Sequence, residues 1–79
     1  MKARIIVTLK TGVLDPQGKA IESALKSFGI DDVGSVRQGK VFDVEIAATD
    51  GTDAEATLKA ACEKLLANTV VENYAIEIV

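Results

Sequence analysis

Apolar and polar side chains alternate along residues 3–10, and this constrains the chain more than any other feature. Ile5, Val7 and Leu9 fall on one side, while Arg4, Thr8 and Lys10 fall on the other, with Ile6 among them. A period of two predicts a half-buried strand, so the rest of the chain must cover one sheet face. Ile6, apolar on an otherwise polar face, marks a second surface that a helix or a partner subunit would cover.

Thr11-Gly12-Val13-Leu14 breaks the alternation, and Asp15-Pro16 opens a helix. The Asp carboxylate accepts from a free backbone N–H, and proline at the first helical position has no N–H to leave unpaired. Ala20, Ile21, Ala24, Leu25 and Phe28 follow at helical spacing as one apolar stripe. Glu22 and Lys26 form an expected i,i+4 pair. Gly29, which accepts a left-handed backbone, ends the helix, predicted over 16–28.

Val33 to Ala48 reads as extended. Val36, Phe42, Val44 and Ile46 share one parity, and Arg37, Val41, Asp43 and Glu45 share the other. Two geometries keep that parity: one long strand through Gly39, or a hairpin with Gln38-Gly39-Lys40 as its loop. Both stay open. Thr49-Asp50-Gly51 reads as a turn, and Thr52 with Glu55 matches a capping box. Leu58, Ala61, Cys62 and Leu65 form the stripe of a second helix over about residues 53–67, with Glu55 and Lys59 as its i,i+4 pair. Asn68 signals the helix end, and Val70 to Val79 forms a last strand with Tyr74, Ile76 and Ile78 on one face. The order is β-α-β(β)-α-β, an α+β class with two helices on one face of a mostly antiparallel sheet. It is similar to the ferredoxin-like arrangement. Residues 1–79 read as a single domain.

A chain of 79 residues builds a small core, and the usual reinforcements are disulfides, a metal or oligomerisation. Cys62 is the only cysteine and there is no histidine, so neither an intrachain disulfide nor a zinc site is available. Oligomerisation remains. No imidazole base exists for acid–base or triad chemistry. Cys62 lies on an apolar stripe, where a thiol is a core residue, not a nucleophile. Asp31-Asp32 lacks the further oxygen ligands a calcium loop needs. No phosphate-binding glycine pattern is present. A net charge of −3 with scattered basic residues argues against nucleic-acid binding. No apolar run reaches the roughly 20 residues of a membrane span. The N-terminal apolar run is too short for a signal segment, and a lone cysteine suits a reducing compartment, so the expectation is a cytoplasmic protein. Arg37, Gln38 and Lys40 gather at the presumed bend, where they suit an anion or an acidic partner, although a solvated hairpin tip is the commoner meaning of such a cluster on sequence grounds alone.

The run Val7-Thr8-Leu9-Lys10-Thr11-Gly12-Val13-Leu14-Asp15-Pro16-Gln17-Gly18, followed by Ala20-Ile21 and Ala24-Leu25, resembles the start of the PurS family. Val36-Arg37-Gln38-Gly39-Lys40 resembles the family's second landmark, and the likeness spans the chain. These proteins are small subunits of bacterial and archaeal phosphoribosylformylglycinamidine (FGAM) synthase. The resemblance implies a non-catalytic part in converting formylglycinamide ribonucleotide, ATP and glutamine into formylglycinamidine ribonucleotide, ADP, phosphate and glutamate. It implies a PurL synthase subunit and a PurQ glutaminase subunit as partners, with ammonia passing between them. It implies no cofactor on this subunit, with ATP and Mg on PurL. The loop around Lys10 and Gly12, with Arg37, Gln38 and Lys40, is the expected partner interface. Ile6 and Val41 are the expected interface of a homodimer or homotetramer. A fold of this kind is also similar to ACT-type modules, whose alternative role would be small-molecule sensing.

Overall fold

A computed structural model describes residues 1–47 and 50–79. Three strands, β1 (Lys2–Leu9), β2 (Gly39–Glu45) and β3 (Glu72–Ile78), form an antiparallel sheet in the order β2-β1-β3. Helix α1 (Pro16–Ser27) joins β1 to β2, and helix α2 (Gly51–Ala61) precedes β3. The predicted α+β class and strand directions hold.

The register follows the alternation. Ile5 sits opposite Phe42 on β2 and Ile76 on β3, and Val7 sits opposite Tyr74. These face α2, where Leu58 and Cys62 complete a core with Ala3, Ile5, Val7 and Ala67. Polar partners meet on the other face, where Arg4 Nε donates to Asp43 Oδ1 at 2.9 Å.

α2 begins earlier than its sequence suggested. Asp50, not Thr52, is the cap, and its carboxylate accepts from Thr52 N at 2.7 Å. Of the expected turn, Thr49 lies outside the described residues. After Ala61 the helix widens into a π turn, Cys62–Leu66, and Ala67 N reaches back five residues to Cys62 O at 2.9 Å. The wider turn shifts the helical phase. Leu65, expected in the stripe, is 84% exposed, while Leu66 packs against the core. Neither expected helical ion pair is present among the described residues. Long helical side chains lean toward the N-terminus, and Glu22 accordingly meets Lys19 at 3.7 Å, not Lys26.

The sequence left the Gly39 region open between a hairpin and one long strand. Neither forms within one chain: β2 begins at Gly39, and residues 30–38 carry no strand pairing. β1 already has both edges occupied, and side-chain bonds described below hold residues 37 and 38 elsewhere.

Both helices were expected over one sheet face, but within a single chain only α2 lies there. α1 buries Gly18 alone, and Phe28 at its end is 78% exposed. The chain is correspondingly long, 50 × 25 × 14 Å, with a radius of gyration of 16.0 Å. A compact domain of this length would have about 12 Å.

Candidate functional site

The loop after β1 and the segment before β2 meet at one end of the sheet, and Asp15 joins them. As the cap of α1 it accepts from Gly18 N through Oδ1 at 2.8 Å. Its second oxygen, Oδ2, accepts from Gln38 N at 2.6 Å, across 23 residues of chain. These two N–H donors, Gln38 first, together with the nearby Arg37 guanidinium, hold the Asp15 carboxyl below its ordinary value. The side chain is nearly buried and fully partnered.

Arg37 closes the other side of the loop. Its Nη1 donates to Val13 O at 2.8 Å and its Nη2 to Lys10 O at 3.2 Å. Val13 N also donates to Lys10 O at 3.1 Å, a tight turn that Gly12 permits with φ of 89°. Gly18 is required by close approach: a Cβ there would lie 2.2 Å from Val36 O. The sequence suggested Asp15 only as a cap. A capping carboxylate uses one oxygen, and the unused one was the signal for a second partner.

Lys10, Gly12, Arg37 and Gln38 are thus brought together at one end of the sheet. Lys40 lies alongside, its Nζ 3.8 Å from Glu72 Oε2 on β3. Glu72, which the sequence did not single out, also accepts from Asn68 N through Oε1 at 2.7 Å and so ties the start of β3 to the turn before it. A shallow cleft of about 270 Å³ separates α1 from the sheet end, with Asp15, Gln38, Lys40 and Glu72 in its wall. Ile6 and Val41 are direct cross-strand neighbours on the face away from α2, and Ala75 flanks Ile6 on β3. Val41 is 57% exposed.

Chemical equipment is sparse. Cys62 is fully buried, and burial first, then Glu63, pushes its thiol up, away from the thiolate a nucleophile needs. Tyr74 donates to Glu63 Oε2 at 3.0 Å, and burial together with that carboxylate raises its phenol. Among the described residues no cluster of metal-ligating side chains occurs, and no helix is long and apolar enough to cross a membrane. The clasp built on Asp15 and Arg37 orders backbone; it has no free group placed to transfer a proton or attack a carbon.

The family profile described as PurS, phosphoribosylformylglycinamidine (FGAM) synthase, matches residues 2–79. The chain belongs to the PurS family. It is 48% identical over 75 residues to the phosphoribosylformylglycinamidine synthase subunit PurS of Synechocystis, covering 95% of this chain and 75% of that one. The fold is similar to that of Bacillus subtilis PurS in its C2 crystal form, with TM-score 0.87, 46% identity, and coverage of 96% and 94% of the two chains. It is also similar to a chain in the PurLQS structure from Thermotoga maritima, with TM-score 0.90, 36% identity, and coverage of 99% and 95%. The order β1-α1-β2-α2-β3 is therefore the PurS architecture, with α1 projecting past the sheet.

Proposed function

We propose that this chain is the small, non-catalytic subunit of FGAM synthase in purine biosynthesis, joining a PurL synthase subunit to a PurQ glutaminase subunit. The observation that carries the reading is family membership across residues 2–79. The likeness to a chain in the Thermotoga maritima PurLQS structure supports a place in such an assembly. The chemistry then sits on the partners: ATP and Mg on PurL, glutamine hydrolysis on PurQ, and no cofactor on this chain. Ammonia moving between two active sites must be kept from bulk water, which protonates and dilutes it. A subunit that seals and positions an interface needs rigid loops and no nucleophile.

The clasped end of the sheet supplies such loops. Lys10, Gly12, Arg37, Gln38 and Lys40 form the surface that meets the larger subunits. Like chains also associate, as a dimer or tetramer, with the Ile6–Val41 strip as one contact. The surface area supports this: the chain exposes 5655 Å², whereas a compact monomer of its mass exposes about 4,600 Å².

Glutamine-dependent FGAM formation by PurL and PurQ, with and without this protein, tests the reading alongside ammonium-dependent formation by PurL. Only the glutamine-dependent rate should require the protein. Equal rates in its absence refute the coupling role. Arg37→Glu with Lys40→Glu should weaken assembly with PurL and PurQ while Cys62 stays protected from thiol reagents; normal assembly by that variant removes the clasped end from the interface.

A further inference from the structure

The π turn and the turn before β3 each hold an aliphatic side chain out to solvent. The wider turn over Cys62–Leu66 rotates Leu65 off the core, where Leu66 takes its place. Turns of this kind occur frequently at functional sites. Val70, 80% exposed, follows in the next turn. Asn68 fixes that turn: its side-chain Oδ1 accepts from Val70 N at 3.2 Å, and its carbonyl accepts from Val71 N at 3.0 Å and Glu72 N at 2.7 Å. Lys10 N donates to Val71 O at 2.8 Å, so the turn adjoins the clasped loop, where Leu14 is 69% exposed.

The charge at this end runs against that of the whole chain, which is −3. The carboxylates here are engaged within the fold: Asp15 by Gly18 and Gln38, Glu63 by Tyr74, and Glu72 by Asn68 and Lys40. Lys10, Arg37 and Lys64 form no ion pair among the described residues. Exposed aliphatic side chains ringed by such cations complement an apolar hollow ringed by carboxylates. We propose that Leu65 and Val70 are the apolar anchors that seat this chain in a hollow of that description, on a larger subunit of the synthase assembly. The inference rests on the reading above, in which the clasped end meets those subunits, and it names the side chains that carry the contact. Anchors held on hydrogen-bonded turns lose little freedom on docking, so their burial goes into affinity. The cations at the rim act chiefly on the rate of association.

Surface plasmon resonance tests this, with the full chain immobilised and PurL and PurQ flowed together in ATP, Mg and glutamine. Leu65→Ala with Val70→Ala should weaken binding by roughly a hundredfold, because two aliphatic side chains lose their burial. The urea midpoint of that variant should match the wild type, since both side chains are exposed in the free chain. Lys64→Glu should slow association by about tenfold and flatten its dependence on salt. A double variant that binds as tightly as the wild type overturns the anchors and leaves the subunit reading standing. A wild type that does not bind overturns both. Association that Lys64→Glu leaves unchanged or speeds overturns the acidic rim. Side-chain footprinting of the wild type needs no variant: radical labelling of Leu65 and Val70 should fall when PurL and PurQ are added. Undiminished labelling overturns the proposal, as does labelling that falls when the concentration of this chain alone is raised, which would assign the two turns to a contact between copies.

Discussion

Gly18→Ala sets two opposed effects against each other at the start of α1. Gly18 is the third residue of α1, and alanine there improves helix propensity by up to about 1 kcal/mol. Against this, the added Cβ would lie 2.2 Å from Val36 O, 2.9 Å from Asp15 Oδ2 and 3.0 Å from Asp15 Cγ. An unstrained C···O contact is about 3.3–3.6 Å, so Val36 must move by roughly 1 Å. The obstacle is a backbone carbonyl two residues from the Gln38–Asp15 hydrogen bond, and it cannot swing aside as a side-chain tip would. Overpacking of this kind costs about 1–3 kcal/mol, which exceeds the propensity gain. The net expectation is a loss of up to about 2 kcal/mol. Urea unfolding at fixed protein concentration measures it, with Gly51→Ala as control. Gly51 begins α2 and a Cβ there meets nothing within 4 Å, so that variant should be neutral or slightly more stable. Exchange of the Gln38 amide should accelerate in Gly18→Ala. A Gly18→Ala protein as stable as the wild type, with Gln38 equally protected, would refute the claim that the close approach is required.

Other perturbations address the core, the acid limb and the helical phase. Leu58→Ala opens a cavity against Ile5, Val7 and Cys62 and should cost about 2–5 kcal/mol in denaturant unfolding, a large share of the roughly 4–12 kcal/mol of a domain this size. The Asp15 carboxyl lies below its ordinary value of 3.8 in the folded protein, so its stabilisation is complete above that pH and is lost as pH falls through the folded value. Asp15→Asn should remove this contribution to the acid limb of an unfolding-versus-pH curve; an unchanged limb would contradict the clasp. Leu65→Lys should leave the unfolding midpoint within experimental error, whereas Leu66→Lys should lower it markedly, the reverse of what a regular α-helix through residue 66 would give.

The features legible in the sequence share one property: each is set by local sterics or by a period of a few residues. The alternation in β1 fixed which side of the sheet meets α2, and Asp15-Pro16 and Gly29 bounded α1, with Gly29 at φ of 82°. The π turn was not legible, because no residue type demands it. It exists where the chain must bring Ala67 under the core before turning into β3, and it exchanged Leu65 for Leu66. The second oxygen of Asp15 was half-legible. Its donor, Gln38, lies 23 residues away, and only the fold brings it there.

The place of α1 was illegible for a different reason. An apolar stripe states that a helix will be covered, and it does not state which chain supplies the cover. Read as a single chain, the stripe predicted a helix over its own sheet. In the structure Asp15 is bonded to both Gly18 and Gln38, and Arg37 is bonded back to Lys10 and Val13, so the start of α1 is held at the end of the sheet and the helix does not lie over β2 of its own chain. The same bonds order the loop surface assigned to the larger subunits. One set of hydrogen bonds therefore orders both the start of α1 and the loop surface proposed to meet the larger subunits.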